Sequence, residues 1–217
     1  MTAVAAQSVR FIVESIARTA VDNEQEFGDL DAVVGDGDFG FSLARGFEKV
    51  LEDIDAYPTD DPGSFLQGVA MTISSRIGGT SGPIWGTAFL RAAMVAKGRD
   101  ALTAQDAVEM LRASVAGIQA RGKAELGDKT LLDALVPAID ELERAAADGG
   151  RSSEIIDRIA VATRSAAEAT SSLQAMRGRA SYSGARSIGS PDAGAIALAV
   201  IAERLALEWP KSPAVSE

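Results

Sequence analysis

Along most of the chain, apolar residues return at intervals of three and four rather than two, and alanine is abundant between them. That is the period of helices burying one face, so the pattern predicts an all-α fold. Val4, Phe11, Ile12, Ile16 and Val21 mark a first helix, followed by an acidic, glycine-rich loop and a second helix from about Phe39 to Ile54. Asp61 is placed to cap a third helix with Pro62 in its first turn, and the stripe Phe65, Val69, Ile73 carries it to Arg76. Further helices are expected at about Ile84 to Ala96, Ala104 to Arg121, Leu131 to Ala147, Ser153 to Met176 and Ala193 to Glu208. Gly, Asp or Pro stands near most junctions, and no internal repeat or long linker interrupts the series. The reading is one bundle of about eight helices over residues 1–210, with 211–217 a frayed tail.

Charge and two missing residue types narrow what such a bundle can do. The 217 residues include 31 acidic and 21 basic side chains, a net charge of −10. That disfavours nucleic acid and anionic membrane surfaces as partners, since either wants a basic face. Cysteine is absent, which removes disulfides, thiolate nucleophiles and zinc-thiolate sites. Histidine is absent as well, and with it the usual general base, the imidazole metal ligand and any phosphohistidine carried by this chain. Histidine chemistry must therefore come from a partner. The N-terminal stretch lacks a basic-then-apolar signal layout, and no run approaches the ~18 apolar residues a membrane span needs, so a soluble cytoplasmic protein is expected.

The unusual residues fall in four loops. The first, "LDAVVGDGDFGFSLARG" from Leu30, holds Asp31, Asp36 and Asp38 among glycines that let the carboxylates converge as a hard-oxygen site for magnesium or calcium. The plainer reading is a solvated turn with Asp38 capping the helix at Phe39. In the second, "RIGGTSGPIWGT", Gly78, Gly79, Thr80, Ser81 and Gly82 lead into a helix near Ile84. Such a start offers N–H donors and a positive dipole end to phosphate oxygens, or serves simply as a helix connection. In the third, "RGKAELGDKTLLDALVPA", Asp128 could cap the following helix or Lys129 could reach an anion. The fourth, "MRGRASYSGARSIGSPDAGA", gathers Arg177, Arg179 and Arg186 ahead of the Asp192–Gly194 turn, and guanidinium groups suit phosphate oxygens. Carboxylates for a divalent cation, Gly-rich helix starts and an arginine loop together imply a magnesium-nucleotide site. Phosphoryl transfer depends mostly on positioning and charge neutralisation, so a chain without histidine or cysteine can take part.

In this order, "LDAVVGDGDFG" at 30–40, "GGTSGPIWGT" at 78–87, "GDKTLLDALVPA" at 127–138 and "GRASYSGARSIGSPDAGA" at 178–195 resemble one family, the nucleotide-binding L subunit or L domain of dihydroxyacetone kinases. The resemblance spans nearly the whole chain. It implies an antiparallel barrel of eight helices with ADP or ATP and two magnesium ions in the loops at one end. By motif position Asp31, Asp36 and Asp38 are the implied metal ligands and, with Arg179, the set that handles the phosphoryl group. The implied nucleotide contacts are Phe39, Gly40, Phe41, Ser42, Gly79, Thr80, Ser81, Gly122, Leu131, Arg179, Asp192, Ala193 and Gly194, with Thr80 and Ser81 toward the phosphates and Leu131 toward the base. The implied partner is a K subunit that holds a short keto sugar covalently on a histidine, and the phosphoryl donor is either ATP or a phosphohistidine protein of the sugar phosphotransferase system.

One position departs from the family. Phe39 stands where a histidine usually follows the third aspartate, so an apolar ring replaces an imidazole donor. Metal and nucleotide binding are expected to persist, while the sugar could be dihydroxyacetone or a related short ketose such as erythrulose. The competing reading is a nucleotide-binding sensor of the same fold whose transfer activity is altered.

Overall fold

The computed structural model describes the backbone of residues 2–211 and the side chains between Ala6 and Pro210. Most of the 211–217 tail therefore lies outside the described residues. Within them the chain is helical, with no strand. Nine α-helices follow one another: α1 (Thr2–Asp22), α2 (Glu24–Ala32), α3 (Phe39–Asp53), α4 (Pro62–Arg76), α5 (Ser81–Ala96), α6 (Ala104–Gly122), α7 (Leu132–Ala147), α8 (Ser152–Ala169) and α9 (Ala193–Glu208).

The apolar periodicity accounts for the core. Val9, Val13, Ala17 and Ala20 on α1, Leu43, Phe47 and Val50 on α3, and Phe65, Val69 and Ile73 on α4 each recur on one helical face and are almost fully buried. Phe47 meets Trp85 and Phe89 of α5 edge-on at 5.9 and 6.2 Å between ring centres. A second cluster, around Val108, Ile118, Leu132, Ile139 and Leu142, fills the space between α6 and α7. Burying a side chain of this size contributes roughly 1.5–3 kcal/mol, so the interior, rather than the surface ion pairs, carries the stability.

Eight of the helices close a ring. Each of α3 to α9 packs against the next, and α9 returns to α1, which packs in turn against α3. Neighbours run antiparallel. Arg10 in the first half of α1 reaches Asp55 just past the end of α3, while Ser15 and Asp22 of α1 meet Glu208 and Arg204 of α9 in reversed order. An up-and-down ring sends every second connection to the same end. The junctions before α3, α5, α7 and α9, which hold the four sequence motifs, therefore share one end of the molecule.

Three features differ from the sequence reading. The acidic loop after α1 is shorter than expected, because residues 24–32 form α2, and Phe27 from it is completely buried. α5 begins at Ser81, three residues before Ile84. α8 stops at Ala169 instead of Met176, because a 3-10 turn at Thr170–Ser172 breaks the α-helical hydrogen-bond pattern. The chain then crosses the motif end as an irregular segment containing 3-10 turns over Arg179–Ser187.

Candidate functional site

At the end where the four junctions meet lies a cavity of about 610 Å³, a size suited to a small organic ligand. Its walls come from α2 and the start of α3, from the start of α5, from the α6–α7 junction and from the segment before α9.

The carboxylates sit at one side. Asp31 is not on a loop but in the last turn of α2, half-buried, and its Oδ2 accepts the Gly37 N–H at 2.9 Å. Asp36 and Asp38 are exposed on the following turn. Each of the three offers an oxygen within 4.8 Å of the others. Opposite oxygens around one magnesium ion lie about 4.2 Å apart, so a small side-chain adjustment lets the set share an ion, or bridge two. Three hard anionic oxygens without nitrogen or sulfur ligands fit magnesium or calcium and do not fit zinc or copper. Arg179 lies against this cluster, paired with Asp36 and with Asp38, the latter at 3.0 Å. Asp38 occupies the cap position of α3, yet its side chain makes no capping bond, so the simple-cap reading is not realised.

The second wall is the start of α5. Thr80 stands at the cap position without a side-chain capping bond, so the first N–H groups of α5 have no side-chain acceptor. Gly79 before it has φ of +63°, a left-handed conformation that glycine adopts freely. This start faces the cavity beside the carboxylates, an arrangement that favours phosphate oxygens.

The opposite wall has its helix starts closed. At α7, Thr130 Oγ1 accepts the Leu132 N–H at 3.2 Å, and Asp133 accepts the N–H groups of Gly127 and Thr130 at 2.6 and 2.8 Å. Asp128 therefore does not cap α7. It accepts the Glu125 N–H and pairs with Arg177 at 2.8 Å, and that guanidinium holds its carboxyl below the usual range. Lys129 does not extend freely toward an anion either, because its buried ammonium donates to the backbone carbonyls of Leu173 and Ser187. At α9, Asp192 accepts the Ala195 N–H at 2.8 Å. Burial pushes the Asp192 carboxyl up to about 7, against the opposing pull of that hydrogen bond, with Asp133 raising it further. The residue as a whole is only half-buried, but its carboxyl is withdrawn among protein atoms.

Of the residues expected from sequence, Asp31, Asp38, Phe39, Ser42, Gly79, Thr80, Ser81, Leu131, Arg179, Asp192, Ala193 and Gly194 line the cavity. Asp36 joins through the carboxylate cluster. Three do not line it. Gly40 is buried where α3 crosses α2, and a Cβ there would strike the Gly28 nitrogen at 2.5 Å. Phe41 is 54% exposed with Arg45 over its ring, and Gly122 ends α6 against Ile84. Lys129, a candidate anion ligand by sequence, also lines the cavity, and the lining residues that the motifs did not single out include Trp85, Thr130, Met176 and Tyr182. Their signal lay in position alone, since each stands within or beside one of the four loops.

The family model of the DAK2 domain matches residues 33–207. The chain belongs to the DAK2-domain family. It is 40% identical over 178 residues to the ADP-binding subunit DhaL of the PEP-dependent dihydroxyacetone kinase of Escherichia coli, covering 82% of this chain and 85% of that one. It is 34% identical over 180 residues to the ADP-binding subunit DhaL of PEP-dependent dihydroxyacetone kinase 1 of Listeria innocua, covering 83% and 85%. Among solved structures, the dihydroxyacetone kinase of C. freundii in complex with AMP-PNP and Mg2+ superposes with a TM-score of 0.75 at 26% identity over 92% of this chain. This DAK2 domain spans only 33% of that longer kinase. The helical fold is thus shared with that solved structure. No helix among the described residues is long and apolar enough to cross a membrane.

Proposed function

We propose that this chain is the nucleotide-binding L subunit of a dihydroxyacetone-type kinase, folded as one domain over residues 1–210. It binds magnesium with ADP or ATP and passes a phosphoryl group to a short keto sugar held covalently on a histidine of a partner K subunit. One observation carries the reading: the Asp31, Asp36 and Asp38 carboxylates converge within 4.8 Å beside the uncapped start of α5 and under Arg179.

Asp31, Asp36 and Asp38 would hold the metal, and magnesium bound there neutralises phosphate charge and aligns the phosphate oxygens. The N–H groups at the start of α5, with the Thr80 and Ser81 hydroxyls, donate to phosphate oxygens. Leu131 and the Asp192–Gly194 turn form the less polar wall for the base and ribose. Arg179, on the irregular segment, brings a guanidinium to the transferring phosphoryl group, where charge spreads over the equatorial oxygens. In the transfer, a phosphorus–oxygen bond to the nucleotide breaks and one to the sugar hydroxyl forms, while the hydroxyl proton leaves to a base. Without histidine in this chain, the histidine that anchors the sugar belongs to the partner.

Two relatives of nearly this chain's length are named as ADP-binding subunits of PEP-dependent kinases, which favours tightly held ADP recharged in place by a phosphohistidine protein of the phosphotransferase system. Mixing the chain with a K subunit, magnesium and trioses or tetroses, with either ATP or a phosphoenolpyruvate-driven phosphotransferase system, tests function and donor together. Sugar phosphate is expected, and its absence with every partner and donor would overturn the reading.

A further inference from the structure

Lys129 combines features that a surface lysine lacks. It is 3% exposed, and its backbone is left-handed at φ of +60°. Glycine adopts that conformation freely and a side chain does not, so the side chain must recover the cost elsewhere. The ammonium does so by donating to Leu173 O at 3.2 Å and to Ser187 O. Those two carbonyls lie on either side of Arg179 in the sequence, so one charged group grips both shoulders of the segment that carries it.

Other contacts hold this segment at one point each: Arg177 pairs with Asp128 at 2.8 Å, and the Ser183 hydroxyl donates to Val34 O at 3.0 Å. The segment lacks an α-helix and presents Met176, Tyr182 and Ile188 outward, each more than half exposed. Around the ammonium, Met176 N donates to Asp128 O at 2.9 Å, and Ala175 N donates to the buried Ser187 hydroxyl at 2.8 Å. Burial lowers the Lys129 pKa and the nearby Asp192 carboxyl opposes that shift, so the charge is held inside the fold at a cost. We propose that Lys129 is a positioning residue: it fastens both sides of the segment between α8 and α9 to the start of α7 and thereby holds Arg179 over the carboxylate cluster. Only the ligand-binding part of the test below rests on the nucleotide-site reading.

The first measurement is amide hydrogen exchange of the full, nucleotide-free chain, comparing wild type with Lys129→Met. Exchange across 174–188 should rise at least about tenfold while α4 and α5 stay within about twofold, because opening would be local. Unchanged exchange in that segment overturns the inference. If Lys129→Met does not yield folded chain, Lys129→Gln, which keeps one donor end, is measured the same way and judged by the same criterion. The second measurement is magnesium-ADP affinity. Lys129→Met should weaken it about tenfold, but by less than about twofold when added to Arg179→Ala, since a residue acting through Arg179 has no further effect once Arg179 is gone. Losses that multiply overturn the inference, as does a Lys129→Gly chain that matches wild type in exchange and affinity. Failure of wild type to bind magnesium-ADP while Lys129→Met frees the segment would overturn the nucleotide reading and support the positioning role.

Discussion

Helix starts at the two ends of the ring are built differently. At the far end, Asp61 caps α4 by accepting the Ser64 N–H at 2.6 Å and also takes the Gly98 N–H at 2.7 Å. Thr103 and Asp106 close α6 with a reciprocal capping box. At the cavity end, the starts of α3 and α5 carry no side-chain cap: Asp38 stands at the cap position of α3 with suitable chemistry, while at α5 Pro83 has no N–H and leaves Thr80 only the Gly82 N–H to accept. Each forgone cap costs about 1 kcal/mol. Across the cavity, by contrast, α7 and α9 are closed by Thr130, Asp133 and Asp192. Same-end geometry therefore does not explain the open starts. Their place next to Asp31, Asp36 and Asp38 fits the proposed function, in which the open starts face phosphates and the closed wall faces the base.

The strongest way to break this division is to remove its cation ligands. Asp36→Ala together with Asp38→Ala should abolish the magnesium-dependent rise in melting temperature given by ADP, which at a hundredfold excess over Kd corresponds to about 2.7 kcal/mol. Without ligand, the variant should melt near wild type, since both side chains are exposed. A retained ADP shift would show that the carboxylates do not hold the cation. A smaller effect is expected from closing an open start. Thr80→Asp places a carboxylate at the start of α5, where Pro83 leaves it only the Gly82 N–H to accept, so the free chain should gain at most roughly 0.5 kcal/mol while magnesium-ADP affinity falls about tenfold. Calorimetric titration checks the second half, and undiminished affinity would mean that phosphates do not approach α5.

Much of this arrangement is legible in the sequence, for reasons that differ by element. α4 announces itself through Asp61-Pro62 and a clean apolar stripe, and the structure begins it at Pro62 with that cap in place. The four loops occupy every second junction, so an up-and-down order of helices already places them at one end. α2 is hard to see in the sequence because, within its nine residues, four acidic side chains and a glycine surround only two large apolar anchors, Phe27 and Leu30, and its helicity depends on burying Phe27 under α3. Phe39 stands out as a departure from the family pattern, but its packing 6.3 Å from the Phe27 ring depends on that same missed helix. The end of α8 was overrun because the period continues past Ala169, whereas the Thr170 hydroxyl turns back to Ala167 O and later receives the Asp192 N–H. The Lys129 contacts are not legible for a related reason, since its acceptors lie 44 and 58 residues away.

At the far end, the comparison is sharpened by losing a cap that serves stability alone. Asp61→Ala should cost about 1–2 kcal/mol in urea unfolding, because the Ser64 and Gly98 N–H groups both lose their acceptor. Magnesium-ADP affinity should stay within about twofold, as Asp61 lies at the other end of the ring. A marked loss of affinity would couple the two ends and break the separation between them.

The smallest effect concerns the one cavity-end start that is closed by a carboxyl of raised pKa. Asp192 titrates at about 7 in the folded chain, chiefly through burial, against about 3.9 when unfolded. Between those values the folded state holds more protons than the unfolded one, so its contribution to stability falls as pH rises from about 4 to 7 and is level above. Asp61, Asp128, Glu203 and Glu208, whose pKa values are lowered, act in the opposite sense and only in the acid range. Asp192→Asn keeps an oxygen to accept the Ala195 N–H and removes the titration. Urea unfolding at pH 6 and 8 should then show wild type losing about 1.3 kcal/mol more than the variant over this interval. Equal losses would place the Asp192 carboxyl in contact with water, and α9 would then join α3 and α5 among the starts open to a ligand.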